Sequence, residues 1–394
     1  MKRITVLVLA CLLLFSGCTR ENTVDSGKND NKNKSCGVWI SFSEVNSLLN
    51  DKNEFEKEIS TLISNCVSIG TENVYIHVRA FCDSLYNSDY FPINEYAKQY
   101  DFDVFRYMLD GFHENGIKVH AWVNPYRIST SSSQIESLNT ESAAYKWLND
   151  QSGENDKNVC ITDSGIYLNP CEAEVRELVI NGVREIVLKY DVDGIHFDDY
   201  FYPSKDFSFD EKSYNLYKDS QNNPLSLDEW RTTNVNSLIS GCYTAIKHIN
   251  PNVVFSISPA ASIEKNKNDL YADVKHWVQN GYVDCIIPQL YFGFSYPDEN
   301  FCFDKLLTDW EKLMAVNKDV DMYIGLASYK VGTDTPPDCN EWQNDESIIS
   351  RQVKTCMEND RVKGYVFFSY SSLFSGEELN KKSLEALKIT AEGK

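Results

Sequence analysis

Short runs of β-branched and aromatic residues alternate eight times with longer amphipathic stretches in this chain of 394 residues. The short runs predict strands, and apolar residues spaced three and four apart predict helices. The predicted strands cover residues 37–42, 73–79, 118–124, 194–198, 253–258, 285–290, 322–326 and 365–369. The predicted helices cover residues 54–65, 102–114, 172–190, 227–249, 270–280, 303–316, 347–359 and 380–391. Eight such units predict a single (β/α)8 TIM barrel, an α/β fold, because parallel strands need crossover connections.

A doubly wound open sheet is the alternative arrangement of the same elements. The sequence has no glycine-rich phosphate-binding loop of the kind that many open sheets carry, which weakens this alternative.

The segment DVDGIHFDDYFYP places two adjacent carboxylates and an imidazole at the end of the fourth predicted strand. Alternation along a strand puts His196 and Asp198 on one face. Strands covered by helices normally carry apolar residues, and buried His or Asp side chains are costly unless they are paired or used. We therefore interpret Asp198 and Asp199 as candidate catalytic residues, with a loop-capping Asp as the alternative. Because Asp199 alternates away from Asp198, both reach one site only if the strand ends at Asp198.

Polar and aromatic side chains also follow the other predicted strands. Active sites of TIM barrels form at the carboxyl ends of the strands, so we expect these side chains to converge on a substrate. The predicted substrate-binding residues are Arg79, Asp83, Trp122, Asn124, Tyr126, Arg127, His196, Tyr202, Gln289 and Tyr291. An inward-facing Arg79 needs an anionic partner, for which Asp198 and Asp83 are the candidates. His77 and His120 lie lower on their strands, and we interpret them as core histidines.

This mixture of side chains suits a carbohydrate, whose sugar rings combine apolar faces with a rim of hydroxyl groups. The carboxylates suit glycoside hydrolysis, in which one acid protonates the leaving oxygen and a second carboxylate acts as nucleophile or activates water. Burial would raise the pKa of Asp198 and a nearby Arg79 would lower it, so the direction is open at this stage. Asp199, Glu44 and Asp83 are the candidates for its partner carboxylate.

Residues 1–17 have a basic start, an apolar run and small residues before Cys18, which resembles a bacterial lipoprotein signal peptide. An ordinary secretory signal with an incidental cysteine is the alternative. We expect a lipid on Cys18, a flexible polar linker over residues 18–35, and one barrel domain over residues 36–394. The expected location is extracytoplasmic, with the protein anchored to the membrane as a lipoprotein.

The formal net charge of −20 at pH 7 argues against nucleic acid as a partner, because two polyanions repel each other. The sequence has no CxxC pair and no Cys/His spacing typical of a zinc site. We therefore expect no metal, no cofactor, a polysaccharide as substrate, and a monomer.

Seven sequence motifs, taken in order, closely resemble the glycosyl-hydrolase-like family 10 proteins, which are bacterial envelope lipoproteins with a TIM-barrel domain. The motifs are GVWISF, NVYIHVRAFCDSLYNSDYFP, GIKVHAWVNPYR, YLNP, DVDGIHFDDYFYP, SISP and PQLYFGF. The resemblance implies a glycosidase of bacterial envelope glycans, with the glycan strands of peptidoglycan as substrate. It also implies a site lined by Asp198, Asp199, Arg79, Asp83, Asn124, Tyr126, Gln289 and Tyr291. The chain departs from the family at Cys171, where a Gly is usual, and we expect this to change a turn.

A weaker resemblance is to chitinase-type barrels, whose fourth strand carries a DGxDxDxE pattern. Alignment on Asp193 and Gly194 places Tyr200 at the position of the acidic Glu. A general acid would then have to come from elsewhere, which leaves the mechanism open.

Two further functional interpretations remain. One is a glycan-binding lipoprotein whose barrel has no catalytic activity. The other is metal-dependent deacetylation or phosphoester hydrolysis by His77, His120, His196 and Asp198.

Overall fold

The computed structural model describes residues 34–334, 336 and 339–374. Its strands are β1 (Ser35–Ile40), β2 (Asn73–Arg79), β3 (Lys118–Val123), β4 (Arg127–Ser129), β5 (Val159–Thr162), β6 (Gly165–Leu168), β7 (Gly194–Phe197), β8 (Val254–Ile257), β9 (Cys285–Ile286), β10 (Asp321–Leu326) and β11 (Val362–Phe367). All of these except β4, β5 and β6 close into a parallel barrel in which each strand pairs with the next along the chain and β11 pairs with β1. The predicted TIM barrel is confirmed.

Helices connect the barrel strands. They are α1 (Phe42–Leu48), α2 (Phe55–Ser68), α3 (Val104–Glu114), α4 (Ala143–Leu148), α5 (Ala173–Lys189), α6 (Glu211–Ser220), α7 (Leu227–Ile249), α8 (Ile263–Asn268), α9 (Val274–Asn280), α10 (Phe303–Met314), α11 (Cys339–Asn344), α12 (Ile348–Glu358) and α13 (Tyr370–Leu373). The longest, α7, begins with a capping box in which Ser226 and Glu229 satisfy each other's backbone N–H groups. The predicted helix over residues 380–391 lies outside the described residues.

Apolar side chains pack on both sides of the barrel wall. Outward-facing residues such as Val74, Ile76 and Ile195 are buried against the helices. Inside the barrel, Trp39 and Tyr75 belong to a separate cluster of large side chains. The barrel interior is therefore a packed core. The layer of this core nearest the carboxyl ends of the strands forms the floor of any site at that end.

Strand β9 is shorter than predicted, because its ladder pairing with both neighbours stops at Ile286. Pro288 has no N–H group to donate to a neighbouring strand. The chain beyond it still runs along the barrel, since Gln289 forms isolated bridges with Ala260 and Gly325. Gln289 consequently lies at the rim, where side chains reach a central site.

The long connection between β3 and α5 contains a small antiparallel sheet with the order β4, β6, β5, together with α4. This insertion stands at the carboxyl end of the barrel, since β4 follows directly on β3. No helix of the described residues is long and apolar enough to cross a membrane. Cys18 and the predicted signal peptide lie outside the described residues.

Candidate active site

A cavity of about 310 Å³ lies at the carboxyl ends of the barrel strands, and each of the eight strands or the loop after it contributes to its wall. A TIM barrel places its active site at this end. The lining residues are Trp39, Ser41, Phe42, His77, Trp122, Arg127, Asp198, Asp199, Tyr200, Ser258, Gln289, Tyr291, Tyr329 and Phe368.

Asp198 lies at the base of this cavity and is almost fully buried. Its Oδ2 accepts hydrogen bonds from the Trp122 indole N–H at 3.1 Å and the Asn124 amide at 3.2 Å. Its Oδ1 accepts from the Asn124 amide at 3.3 Å and from the backbone N–H of Tyr200 at 3.4 Å. Burial raises the pKa of Asp198 to about 7, although the positive charge of Arg127 acts in the opposite direction.

Asp199 lines the same cavity as Asp198 and is less buried. Its Oδ1 accepts a hydrogen bond from the Gln289 amide at 3.2 Å, and the same amide donates to the Ser258 carbonyl at 3.0 Å. Burial raises the pKa of this carboxyl group as well. Both adjacent carboxylates reach the cavity because β7 ends at Phe197, so strand alternation no longer separates them.

Several predicted substrate-binding residues do meet at this cavity. Trp122, Arg127, Gln289 and Tyr291 all line it. The guanidinium of Arg127 lies 4.9 Å from the ring centre of Tyr200, and Arg127 is the cation whose charge lowers the pKa of Asp198. Arg127 thus supplies the positive charge that was predicted for Arg79.

Arg79 does not face the cavity, so its predicted inward direction is wrong. Strand β2 has an irregularity between His77 and Arg79, and Arg79 pairs with Val123 of β3, which faces the helices. The extra residue, Val78, reverses the side to which the next side chain points. The Arg79 guanidinium instead lies over the Phe91 ring at 4.1 Å, and its two terminal nitrogens have no hydrogen-bond partner in the described residues.

Asn124 and Tyr126 lie behind the cavity wall and do not line the cavity. Asn124 is buried, holds Asp198, and accepts the backbone N–H groups of Tyr126 and Arg127 on its Oδ1 at 3.2 and 2.9 Å. The turn that these bonds fix sends the Tyr126 side chain into the hydrophobic core. The predicted substrate contact of Tyr126 is therefore wrong. Asn124 positions the carboxylate of Asp198 by donating hydrogen bonds to it.

His196 faces the barrel interior as predicted but lies one layer below the cavity. Its Nε2 accepts from the Trp39 indole at 3.0 Å, so its Nδ1 carries the proton and donates to Ser256 Oγ at 2.8 Å. Burial holds the pKa of His196 well below its usual value. With both ring nitrogens occupied, His196 supports the floor, and the predicted substrate contact is wrong.

Asp83 and Glu44, two candidates for the partner carboxylate, are both engaged elsewhere. Asp83 accepts from the Asn94 amide at 2.7 Å and lines a neighbouring groove. Glu44 accepts from Ser41 Oγ at 2.7 Å and from Ser369 Oγ at 2.6 Å, which ties the end of β1 to the end of β11. Asp199 is consequently the partner carboxylate that the cavity contains.

Tyr202 lies outside the cavity in a buried polar cluster. Its hydroxyl group hydrogen-bonds to Asp210 and, at 3.0 Å, to Cys171 Sγ. Asp210 is paired with Arg231 through two hydrogen bonds of 2.8 and 2.6 Å, and both side chains are fully buried. The predicted substrate contact of Tyr202 is wrong, because its side chain is buried outside the cavity and its hydroxyl group is bonded to Asp210 and Cys171. Cys171 is part of this cluster, within 3.0 Å of the Tyr202 hydroxyl group.

We expect Tyr202→Phe to lower the free energy of unfolding by about 1–3 kcal/mol, because it removes buried hydrogen bonds of Asp210 and Cys171. The KM for a glycan should stay within experimental error. Urea unfolding and steady-state kinetics measure the two quantities. A several-fold increase in KM would indicate that Tyr202 does contact the substrate.

His77, which was predicted to be a core histidine, lines the cavity. It is buried, its ring stacks on Trp122 at 3.8 Å between ring centres, and neither ring nitrogen has a hydrogen-bond partner in the described residues. Burial and the charge of Arg127 hold the pKa of His77 well below its usual value. Because of the irregularity in β2, His77 is the last residue of this strand that faces inward. Its position opposite Trp122 on β3 is the signal that could have identified His77 as a cavity residue.

The histidines of the metal-dependent interpretation do not meet. His120 Nε2 donates to the amide oxygen of Asn73 at the opposite end of the barrel, and His196 lies below the cavity floor. Within residues 34–334, 336 and 339–374, no group of three or more His, Cys, Asp and Glu side chains could hold a metal ion.

The family and the relatives that this chain resembles are all described as glycosyl hydrolases or glycosyl hydrolase-like proteins. The family described as Glycosyl hydrolase-like 10 matches residues 34–343. Glycosyl hydrolase YngK of Bacillus subtilis is 31% identical over 348 residues, which cover 81% of this chain and 64% of that protein. Glycosyl hydrolase DigH of Escherichia coli K12 is 31% identical over 293 residues, covering 67% and 64%. The chain thus spans about 64% of the length of these relatives.

Solved structures with the same fold are more distant in sequence. The glycoside hydrolase domain of PgaB (BpsB) from Bordetella bronchiseptica has a TM-score of 0.60 at 11% identity, covering 90% of this chain and 98% of that domain. Alpha-L-fucosidase isoenzyme 2 from Paenibacillus thiaminolyticus has a TM-score of 0.56 at 12% identity, covering 91% and 49%. These similarities establish the barrel fold.

Proposed function

The chain belongs to the glycosyl hydrolase-like 10 family, and from this premise we propose that it is a glycoside hydrolase of a bacterial cell-wall glycan. The observation that carries the proposal is the pair Asp198 and Asp199 in one cavity, both with a raised pKa. Glycoside hydrolysis needs two such carboxyl groups, one protonated and one ionised, at the scissile bond.

The surroundings of the two carboxyl groups suggest different roles. Every hydrogen bond that the described residues make to Asp198 comes from an N–H group, and such donors stabilise the ionised carboxylate. We assign Asp198, which is ionised above its pKa of about 7, as the nucleophile or the base that activates water. Asp199 is nearer the opening and is held by Gln289 through one oxygen, so we assign it as the proton donor to the leaving oxygen.

The cavity wall suits a sugar. Tyr291 stacks on Phe368 with 5.9 Å between ring centres, and Tyr200 and Tyr329 are partly exposed at the opening. Such rings offer flat apolar faces, while Arg127 and Gln289 offer N–H donors for hydroxyl groups. The glycan strands of peptidoglycan are the proposed substrate. The proposal includes anchoring to the membrane by a lipid on Cys18, for which the sequence of residues 1–17 is the support.

The test of the proposed function is product analysis. The full-length protein is incubated with purified glycan strands of peptidoglycan, with and without stem peptides, and new reducing ends are counted after reduction and chromatography. A hydrolase releases reducing ends from at least one of these polymers. Retention of the polymer without new reducing ends would instead support the non-catalytic glycan-binding protein.

His77 provides a further prediction for this site. An unpaired polar atom in a buried position costs free energy, and a substrate hydroxyl group would satisfy a ring nitrogen of His77. Because His77→Phe retains the stacking on Trp122 and removes both nitrogens, we expect kcat/KM to fall about fivefold to tenfold. Steady-state kinetics on glycan strands measures this effect.

The matched control is His120→Phe. His120 is also buried and stacks on an aromatic ring, Tyr75, but it lies outside the cavity. Its replacement should lower stability without changing kcat/KM of the folded protein, which circular dichroism and kinetics separate. An equal fall in kcat/KM for both variants would mean that His77 acts only through packing.

A further inference from the structure

A groove of about 580 Å³ lies beside the cavity that holds the two carboxylates. The ring of Phe81 lines the groove and packs against Phe42, which lines the cavity, with 4.8 Å between ring centres. The guanidinium of Arg127 covers the Phe81 ring at 4.7 Å. One layer of three side chains therefore separates the groove from the cavity, and a chain that leaves the cavity over this wall enters the groove.

The groove has the side chains that a sugar chain requires. Asn46, Gln134 and Asn139 contribute amide groups, which both donate and accept hydrogen bonds. Tyr96, which is 41% exposed, contributes a flat aromatic face. Gln134 and Asn139 belong to the insertion between β4 and β5, so this insertion forms the outer side of the groove.

The charge of the groove limits the kinds of polymer that can bind in it. Asp83 and Glu95 line it, and no Lys or Arg is among its lining residues in the described part of the chain. A densely anionic polymer would be repelled at such a surface. The groove is also larger than the cavity, about 580 against 310 Å³, so it has room for more of a glycan than the catalytic cavity holds.

We infer that this groove binds the neighbouring sugar units of the glycan chain whose scissile bond lies at Asp198. The inference rests on the proposed function and adds a site to it. It makes the protein selective for chain length, because a short oligosaccharide fills the cavity only and a long one fills the cavity and the groove.

The test compares Tyr96→Ala with Tyr90→Ala in the full-length protein. Tyr90 is a matched control because it is 40% exposed and is absent from the residues that line the groove. The substrates are peptidoglycan glycan fragments sorted by length, from disaccharide to octasaccharide. We expect Tyr96→Ala to lower kcat/KM about fivefold on the longest fragments and less than about twofold on the shortest, with Tyr90→Ala unchanged.

Two results would overturn the groove assignment. One is an equal effect of Tyr96→Ala on short and long fragments, and the other is an effect that follows the presence of a stem peptide and not the chain length. If the wild-type protein hydrolyses no fragment, the proposed function fails by itself. The dissociation constants of short and long fragments, measured by calorimetry for both variants, then decide whether the groove binds the chain.

Discussion

Asp198→Asn is expected to lower kcat on glycan strands by about 10³-fold or more while the barrel stays folded. The amide has nearly the same shape as the carboxylate, but it cannot ionise, so it neither attacks the sugar nor activates water. The amide oxygen can still accept from Trp122 and Asn124 at the position of Oδ2, whereas the amide NH2 group at the position of Oδ1 loses the weak bond from the Tyr200 N–H. The measurement is the initial rate of release of reducing ends, with circular dichroism to confirm folding.

Asp199→Asn separates the roles of the two carboxyl groups. If Asp199 donates the proton, its variant should be slow on glycan strands and regain activity on aryl glycosides whose leaving group needs no proton. Asp198→Asn should be inactive on both substrates. Asp101→Asn, which removes an exposed carboxylate that pairs with Lys52 at the surface, is the control and should match the wild type. If Asp198→Asn regained activity on aryl glycosides and Asp199→Asn did not, Asp198 would be the proton donor and Asp199 the nucleophile or base.

The barrel could be predicted from the sequence because its signals are local. Each strand alternates apolar residues toward the helices, and each helix repeats them at helical spacing. The limits of β2 and α7 agree with the predicted residues 73–79 and 227–249. Where the prediction failed, as at the end of β9, the missing strand pairing depends on neighbouring strands and not on the segment itself.

The candidate site was predictable where a side chain lies on a regular strand or directly after its end. Trp122 within β3 and Asp198 directly after β7 do line the cavity. Arg79 follows the irregularity of β2, whose position is set by pairing with β3. Because of this one extra residue, His77 and not Arg79 is the last side chain of β2 that faces the cavity.

Tyr202 illustrates a second reason for failure. It lies beyond the end of β7, where no strand period fixes the direction of a side chain. Its direction is set by Asp210 and by Arg231, which is supplied by α7. Such a contact joins residues far apart in sequence, so only the folded structure locates it.

The second large effect expected of Asp198 concerns stability. Its pKa is about 7 in the folded protein, against about 3.9 in an unfolded chain. Between these values the folded state binds a proton that the unfolded state has lost. The contribution of Asp198 to stability should therefore fall as the pH rises from about 4 to about 7, and the full cost of the buried charge is present above pH 7.

Asp198→Asn removes this cost because the amide carries no charge at any pH. We expect the free energy of unfolding of the variant, relative to the wild type, to increase between pH 5 and pH 8 by a few kcal/mol, with about 4 kcal/mol as the upper bound. Urea unfolding at both pH values measures the difference, and Tyr90→Ala, which alters no group that titrates in this range, serves as the control. A difference that does not change with pH would mean that Asp198 is already ionised at pH 5, and the protein would then hold its catalytic carboxylate without a stability cost.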